Sequence, residues 1–420
     1  MLFRFGFLFL VSQVVLFALN VLWVTVTGGL TLHFSAFFDL ANYVPSLWLS
    51  LGIGIAGTVA WSCLGKERTD RQALYYLLRA LLRYRLAITL FAYGFLKWFP
   101  LQMPAPTLSD LNTAYGDFLP WKIYWLTVGA ASAGYQSALG LLEIVAGSLL
   151  LFRVTAPLGA LLGLLTLSNA LSVNIAYQTG QYAYSLYPLL LAALVISEDV
   201  PRLFRLVVLE KPARANRYPG IAWTGKQRLL KKGLKITFAL AVAAYGYLVY
   251  VDYRSGSYLL PQGRGVPQLR GYYEVTEFRL NGQPLPYQPV DANRWQNVVF
   301  EPWATMSVKR AMPVQLDRTK YGFGTADDID RNYESAGTVG RHYFSYSADT
   351  VSQQLHLQNK NKQQRTEQWD LHYETAPNGA LTLSGLRNQT DSVYIVLEKI
   401  DKKYLLKEGR RKPIRLSAFQ

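Results

Sequence analysis

Cysteine and histidine are scarce in this sequence, and their scarcity excludes most metal and redox centres. The 420 residues contain one cysteine, Cys63, so neither an intrachain disulfide framework nor a Cys-x-x-Cys motif can form. Of the four histidines, His33 alone lies in the apolar part of the chain, so no helix pair can supply two axial haem ligands. Glycine-rich phosphate loops and nucleophile elbows are also absent. We therefore predict no cofactor and no self-contained catalytic motif, and whether the protein belongs to an enzyme stays open.

The distribution of apolar and basic residues indicates a membrane protein. Hydrophobic residues make up 51% of the chain and are concentrated before Tyr253, so the chain divides into an apolar and a polar part. A net charge of +16 would suggest nucleic-acid binding in a soluble protein. Here, however, the basic residues lie mostly in two segments between apolar runs, 64–85 and 201–235, which is typical of cytoplasmic loops. The predicted partner of this part is the lipid bilayer, and no nucleic acid is expected.

Seven apolar runs predict an all-α membrane bundle of about seven transmembrane helices. Two helices lie within residues 1–63, four form a core within 86–200, and the seventh covers 236–252. The first run, 3–26, is too long for a signal peptide. Counted from a cytoplasmic N-terminus, the basic loops all lie inside and the acidic or neutral loops outside. The polar C-terminal part is therefore predicted to be periplasmic or otherwise extracytoplasmic.

The connection between the third and fourth runs is predicted to lie outside as well. It extends to Lys122 and carries Asp110 and Asp117 together with several prolines. Residues 123–133 then predict an interfacial helix, because aromatic residues at its start suit the depth of the lipid headgroups.

Among the residues of the apolar runs, Glu143 is the one whose position most needs a physical explanation. It lies about halfway along 134–152, a run with no other charge before its end, and a carboxylate at that depth usually faces a bundle interior or a wet cavity. The preceding run, 86–100, contains Lys97 one turn before its end. At about 1.5 Å per residue the two charges differ in depth by roughly 7 to 8 Å, most of which a lysine side chain can span. Lys97 is predicted either to pair with Glu143 or to extend outward to the interface.

The residues around these charges carry a family resemblance. Gly94-x-x-Lys97, then Glu143-x-x-x-Gly147 followed by three leucines, resembles the four-helix core of DoxX-type membrane proteins over residues 79–200. The resemblance implies a small bundle in the cytoplasmic membrane, and some members of the family are subunits of a thiosulfate:quinone oxidoreductase. The additional helices and the large polar part depart from the family pattern.

The candidate pocket residues surround the same two charges, and the ligand that would suit them is a quinone or a lipid. Glu143 is the candidate catalytic group, as a proton carrier, unless it only hydrogen-bonds a neighbouring helix. Asn169, in the run 156–176, either lines the pocket or makes a structural hydrogen bond between helices. The full candidate set is Tyr93, Gly94, Lys97, Glu143, Gly147 and Asn169.

After a linker at 253–270, the apolar period changes to two and predicts an all-β domain over 271–420. Asn281-Gly282 and Asn378-Gly379 are typical of tight hairpin turns. A meandering antiparallel barrel removes exposed strand edges, and its interior either holds a small ligand or is filled by side chains. The ending, with Leu381-x-Leu-x-Gly385, resembles a small lipocalin-like barrel. The predicted strands are 273–280, 297–301, 306–309, 342–347, 354–358, 367–374, 381–386 and 393–399.

Three histidines of this domain are weak candidates for a metal site. His342, His356 and His372 lie on successive predicted strands, and hairpins centred near Asp349 and Gln363 would bring them close together. Neutral imidazoles in that arrangement can bind zinc. A register slip of one residue, however, sends the side chains to opposite faces. We therefore predict no metal site and keep the three histidines as the alternative.

Three functions remain open at this point. The absent cofactor ligands and the additional outer domain favour an accessory or scaffold subunit of a cell-envelope complex, with a membrane or envelope protein as its partner. The buried carboxylate favours a quinone- or lipid-dependent oxidoreductase subunit. The barrel allows a third function, a carrier for a lipid or small molecule.

Overall fold

The structure is a computed structural model that describes most of the chain as two compact units. The helical unit comprises Met1–Gln102 and Gly134–Arg254, and the barrel unit comprises Met103–Ala133 and Ser255–Gln420. We call residues 103–133 the insert, because they belong to the barrel unit although they lie between two helices of the helical unit. The described residues are 2–27, 40–64, 71–103, 105–131, 133–213, 224–255, 263–312, 337, 340–377 and 379–408.

Each of the seven predicted apolar runs is helical over most or all of its length. The described helices, in chain order, are α1 (Leu2–Thr27), α2 (Leu40–Leu64), α3 (Arg71–Trp98), α4 (Leu108–Leu111), α5 (Pro120–Ala131), α6 (Ala133–Leu150), α7 (Ala156–Ala176), α8 (Tyr182–Ile196), α9 (Val200–Val207), α10 (Gly225–Ser255) and α11 (Leu405–Glu408). The two basic segments are only partly loops, in contrast to the prediction. Helix α3 already begins at Arg71 and α10 at Gly225, because arginine, lysine and leucine favour helix strongly enough to extend the apolar runs.

Two described helices, α7 and α10, are long and apolar enough to cross a membrane. The number rises to four if α5 with α6 and α8 with α9 each form one broken span. Helix α3 contains Lys97 and several arginines, so its average polarity is higher than that of α7.

Buried residues of α1, α3, α6, α7 and α8 form the apolar core of the helical unit. Leu86 and Leu90 of α3 are fully buried against Ala146 of α6, Ala160 of α7 and Ala192 of α8. Small side chains at such contacts let helices approach closely, which is how apolar helices associate without a hydrophobic driving force in lipid.

The barrel unit is a closed antiparallel sheet, as predicted. Its strands are β1 (Gly271–Leu280), β2 (Gln283–Pro284), β3 (Asn297–Phe300), β4 (Thr305–Lys309), β5 (Arg341–Asp349), β6 (Gln354–Asn359), β7 (Gln368–Thr375), β8 (Leu381–Arg387) and β9 (Asp391–Ile400). Strands β1 and β3 to β9 pair in order, and pairing of β1 with β9 closes the barrel. All eight predicted strands are confirmed, whereas the two-residue β2 was not predicted. It follows the Asn281-Gly282 turn, where both residues have positive φ, as a two-residue hairpin loop requires.

The barrel begins earlier in the chain than predicted. Within the predicted linker, 253–270, Arg264 forms a bridge with Trp303, and Val266 and Leu269 are buried in the barrel core. Two apolar side chains in an otherwise glycine- and proline-rich segment were too weak a pattern to indicate this.

Side chains fill the barrel interior. The rings of Trp295 and Trp369 are 4.7 Å apart between centroids, and Phe278 lies 6.2 Å from Trp295. A second group joins Phe300 to Tyr273 and Tyr346 at 5.8 and 5.9 Å. Ring pairs at these separations are in contact, so of the two predicted interiors the structure favours the filled one.

Candidate functional site

Lys97 of α3 and Glu143 of α6 form a buried ion pair. The ammonium group Nζ of Lys97 donates a hydrogen bond to Oε1 of Glu143. Both residues are buried, Lys97 with 9% and Glu143 with 2% of its surface exposed. Of the two predicted orientations of Lys97, the structure therefore has the one that points inward to the carboxylate.

The second carboxylate oxygen of Glu143 is available for a further interaction. Within the part of the chain that the structure describes, Oε2 is buried and accepts no hydrogen bond. An ionised carboxylate can accept on both oxygens, and leaving a buried acceptor unpaired costs about 1–3 kcal/mol. The Tyr93 ring lies beside the pair, with its centroid 5.8 Å from Nζ of Lys97, which is within cation–π range.

Two glycines bring the charged residues together. A Cβ atom on Gly94 would lie 2.8 Å from Cγ1 of Ile144, and one on Gly140 would lie 2.5 Å from the Gly94 carbonyl oxygen. The backbones of α3 and α6 are therefore in direct contact at these residues. Gly94 precedes Lys97 by three residues and Gly140 precedes Glu143 by three, and the carbonyl carbon of Lys97 would lie 2.9 Å from a Cβ atom on Gly140, so both charges lie within one turn of this contact.

Gly140 was missed by the sequence analysis. The available signal was its spacing, since Gly140-x-x-Glu143 repeats the Gly94-x-x-Lys97 pattern on the neighbouring helix. Gly147, which was predicted, packs less tightly, because a Cβ atom there would lie 3.4 Å from the Ala87 carbonyl oxygen.

Asn169 does not join this site. It is exposed on α7, and no hydrogen bond connects it to Lys97 or Glu143. The other amide of that helix, Asn174, instead donates to Ser185 of α8 at 3.0 Å and accepts from Thr179 at 2.8 Å. Asn174 thus makes the interhelical hydrogen bond that was expected as the alternative for Asn169.

Arginines near the start of α3 hold the ends of other helices. Arg79 donates to the carboxylates of Glu198 and Asp199 at 3.1 and 2.6 Å, just beyond α8. Arg83 donates to the carbonyl oxygen of Leu150, the last residue of α6, at 3.1 Å. The Arg83 contact satisfies a carbonyl group that a helix end leaves unpaired.

In the barrel unit, a buried polar network binds the insert to the outer wall formed by β3, β4 and β5. The carboxylate of Glu301, directly after β3, accepts hydrogen bonds from the backbone N–H groups of Ser109 at 2.7 Å and Leu108 at 3.3 Å. The hydroxyl groups of Ser109 and Ser307 are 2.7 Å apart. Farther along the insert, Asp117 pairs with Lys309 at 2.9 Å. This docking was not predicted.

Arg341 of β5 is the central cation of this network. It is fully buried, and its guanidinium group donates to four neutral acceptors at 2.7 to 3.0 Å: Thr113 Oγ1, the Asn112 carbonyl oxygen, Ser307 Oγ and Asn297 Oδ1. Burial lowers the pKa of Arg341 and raises the pKa of Glu301, although hydrogen bonds from Ser109 oppose the second shift. Because all these contacts are internal, the network is structural.

A second polar cluster is buried around Glu367. Arg310 binds both carboxylate oxygens of Glu367 at 2.7 Å, and Asn359 donates to the same carboxylate at 2.7 Å. His342 lies 3.1 Å from Arg310 through Nδ1 and 3.0 Å from the Met312 carbonyl oxygen through Nε2. Burial, and secondarily the charge of Arg310, lowers the pKa of His342 to about 4, so the imidazole is neutral at physiological pH.

The three candidate histidines are not brought together. His356 pairs across the strands with Asp370 and with Ser347, which lies five residues, or about 16 Å, beyond His342 on β5. His372 lies opposite Gln354. The described residues contain no group of three or more histidine, cysteine or carboxylate side chains suited to a metal ion.

The register of the hairpin formed by β5 and β6 explains why His342 and His356 lie apart. The predicted centre near Asp349 is displaced, because Asp349 accepts hydrogen bonds from the N–H groups of Val351 and Ser352 and so forms a longer turn. The second predicted centre, near Gln363, agrees with the pairing of Gln354 with His372.

No family model, curated protein or solved structure matches this chain. The resemblances to DoxX-type proteins and to lipocalin-like barrels therefore remain predictions from sequence motifs.

Proposed function

We propose that this chain is a multi-pass protein of the cytoplasmic membrane that acts as an accessory or scaffold subunit of a cell-envelope complex. The helical unit, with a DoxX-like core and about seven transmembrane helices, is the anchor. The barrel unit lies on the periplasmic or extracytoplasmic side and offers its outer surface to a partner protein.

The observation that supports a scaffold role most directly is the docking of the insert. The chain passes between the two units after residues 102, 133 and 254. The insert is held to the barrel by the buried contacts of Glu301 and Arg341. A domain that is only tethered to its anchor needs one linker. A chain that passes between the two units three times, with a buried polar network in the barrel unit, suits a domain that its anchor presents to a partner.

The barrel interior supports binding through the outside of the barrel. Its core is occupied by Trp295, Trp369, Phe278 and other buried side chains, so a ligand would have to displace packed aromatic rings. The carrier hypothesis therefore gains no support, and binding of a protein partner to the exposed outer surface of the barrel is the simpler function.

Features of the helical unit support membrane insertion. Helices α7 and α10 carry large exposed apolar side chains, including Leu165 at 62% and Leu240 at 64% exposure. In water such a surface would cause association. In lipid it is the expected surface of a spanning helix, and the flanking basic segments favour a cytoplasmic location for the adjoining ends.

The scaffold proposal is tested by finding the partner. A photo-crosslinking amino acid at Val351 or Val290, which are 93% and 82% exposed on the barrel, should capture one protein in native membranes. The same group at the buried Trp369 is the matched control and should capture none. Extraction in mild detergent should then yield that protein in constant ratio, and a chain that purifies alone without crosslinks would contradict the proposal.

Sidedness has its own experiment. In a Cys63→Ser background, Val351→Cys should react with a membrane-impermeant thiol reagent in intact cells with a permeabilised outer layer. Reaction only after the inner membrane is broken would place the barrel in the cytoplasm and overturn the topology.

Glu143 favours a second candidate, a quinone- or lipid-dependent oxidoreductase subunit. The unpaired Oε2 of Glu143 could accept a hydrogen bond from a quinol hydroxyl group and take its proton, while Lys97 neutralises the carboxylate. The electrons would pass to a partner subunit, because this chain offers no redox-centre ligands. Glu143→Gln keeps the shape and removes the titration, so it should abolish quinone-linked turnover of the native complex. Unchanged turnover with a normal yield of folded protein would exclude the proton role.

A further inference from the structure

Helix α9 packs Leu203 against the core of the helical unit and leaves three other apolar side chains of the same face largely exposed. Val200, Phe204 and Val207 are 49, 51 and 74% exposed. Their spacing of four and three residues places them on one side of a helix with 3.6 residues per turn. Arg202 and Arg205 lie on the other side. Eight residues with this division form a small amphipathic helix.

A fixed bend turns α9 away from α8. The two helices are related by 74° across a break of three residues, 197–199. Arg79 of α3 holds the break, because its guanidinium group binds Glu198, Asp199 and the Val195 carbonyl oxygen at 2.6 to 3.2 Å. The direction of α9 is therefore set by buried contacts and not by a loose connection.

Helix α8, which precedes α9, also has an exposed apolar surface. Leu186, Leu190 and Leu194 are 43 to 54% exposed and are spaced four residues apart, so they form a stripe along α8 up to the bend. If α8 lies in the membrane, its stripe faces acyl chains. A helix that leaves its end at a steep angle, with an apolar side and a basic side, then lies along the membrane surface.

Basic residues gather at this end of the helical unit. Arg79 and Arg83 of α3 bind the segment before α9 and the end of α6, respectively. Beside the end of α6, Lys235 of α10 lies 5.4 Å from the Phe152 ring. The preceding turns of α10 add Lys226, Arg228, Lys231 and Lys232. Basic residues therefore outnumber the acidic ones at this end of the helical unit, where Glu198, Asp199 and Glu210 are the acidic residues that flank α9.

From these observations we infer that α9 is an in-plane helix that binds anionic lipid headgroups. Its apolar face of Val200, Phe204 and Val207 inserts at the level of the upper acyl chains, while Arg205 and the basic turns of α10 contact phosphate groups. This inference rests on the proposed membrane location of the helical unit. The partner is the lipid surface itself, since α9 follows a helix whose exposed stripe faces lipid and the net charge of the surrounding residues is positive.

The test uses the full chain in nanodiscs with single cysteines in a Cys63→Ser background. An environment-sensitive fluorophore is placed at Val207, on the apolar face, and at Arg202, its matched control on the opposite face. A third site, Leu165 in the middle of α7, reports whether the helical unit is in the membrane at all. Fluorescence is quenched either by lipids brominated near the headgroup or by aqueous iodide.

The Val207 probe should be quenched by brominated lipid and protected from iodide, and the Arg202 probe should show the reverse. Insertion at Val207 should increase when phosphatidylglycerol is added to phosphatidylcholine. Arg205→Gln should weaken that response, with the ratio of inserted to exposed probe falling about fivefold for one charge near the surface.

The other outcomes overturn the inference in distinguishable ways. A Val207 probe open to iodide shows that α9 lies in water, and one protected from both quenchers shows that protein covers it. Insertion that is equal with and without phosphatidylglycerol removes the anionic headgroup as the partner. If Leu165 also fails to respond to lipids brominated deep in the chain, the membrane location itself is wrong. If Leu165 responds and Val207 does not, only the inference about α9 fails.

Discussion

The carboxylate of Glu301 accepts the backbone N–H of Ser109, 192 residues earlier in the chain, at 2.7 Å. It also accepts the N–H of Leu108, so one buried side chain satisfies two backbone donors at the start of α4. This pairing links the segment after α3 to the barrel wall and places the insert in the barrel unit.

Replacement of Glu301 should therefore loosen the insert. Glu301→Ala leaves both backbone donors buried without an acceptor, which costs about 1–3 kcal/mol. Amide hydrogen exchange over residues 105–119 should accelerate accordingly, while the barrel strands remain protected. Glu398→Ala, at an exposed position of β9, is the control and should leave exchange unchanged. Equal exchange in both variants would mean that the carboxylate does not hold the insert.

The docking of the insert on the barrel could not be predicted from the sequence. The barrel strands were predictable because alternation is a local pattern with a period of two residues. The contact of Glu301 with Ser109 depends on a few polar groups far apart in sequence, and nothing in either segment indicates the other. Thr107 and Asp110 form the capping box of α4, but a helix start does not identify what covers it.

The ion pair of Lys97 with Glu143 could be predicted in part. The estimated depths of the two charges placed Lys97 within reach of Glu143, and Gly94 was identified as part of the same sequence pattern as Lys97. What remained open was the direction of the lysine side chain. That direction depends on backbone contact at Gly140, which only the packing of α3 against α6 reveals.

His342 should make the stability of the barrel dependent on pH. Its pKa is about 4 in the folded protein and near the ordinary 6.5 in the unfolded chain. Between pH 6.5 and about 4, the imidazole of His342 is therefore mostly protonated in the unfolded chain and mostly neutral in the folded protein. The group's contribution to stability is fully present above pH 6.5 and is lost as the pH falls toward 4, by about 3 kcal/mol for a shift of this size.

The measurement is the free energy of opening of β5, obtained by hydrogen exchange of the full chain in detergent across that pH range. His342→Gln should flatten the dependence even if its overall stability is lower. His372→Gln, at a half-exposed position, should retain the slope of the unmodified protein. A slope that persists in His342→Gln would assign the titration to another group.

Alanine in place of two different glycines should separate the effect of close helix packing from the effect of helix propensity. Gly140→Ala would place a Cβ atom 2.4 Å from the Trp98 amide nitrogen, so α3 and α6 must move apart. Overpacking of this kind costs about 1–3 kcal/mol. Gly233→Ala meets nothing within 4 Å on α10 and should instead stabilise slightly, by about 0.4–1 kcal/mol. Opposite shifts in the temperature of heat-induced aggregation in mild detergent are expected, and equal shifts would contradict the backbone contact.

The ion pair itself should behave as a coupled unit. Lys97→Met leaves the Glu143 carboxylate buried without its cation, and breaking one side of a buried pair typically costs about 3–5 kcal/mol. Lys97→Met with Glu143→Gln removes both charges, so the double variant should be more stable than the single variant, although one more substitution has been made. Lys232→Met, at an exposed position of α10, is the matched control and should change stability little. Thermal unfolding of the four proteins in the same detergent decides the question. A double variant that is less stable than Lys97→Met would mean that Glu143 is stabilised by something other than Lys97, such as water at its second oxygen.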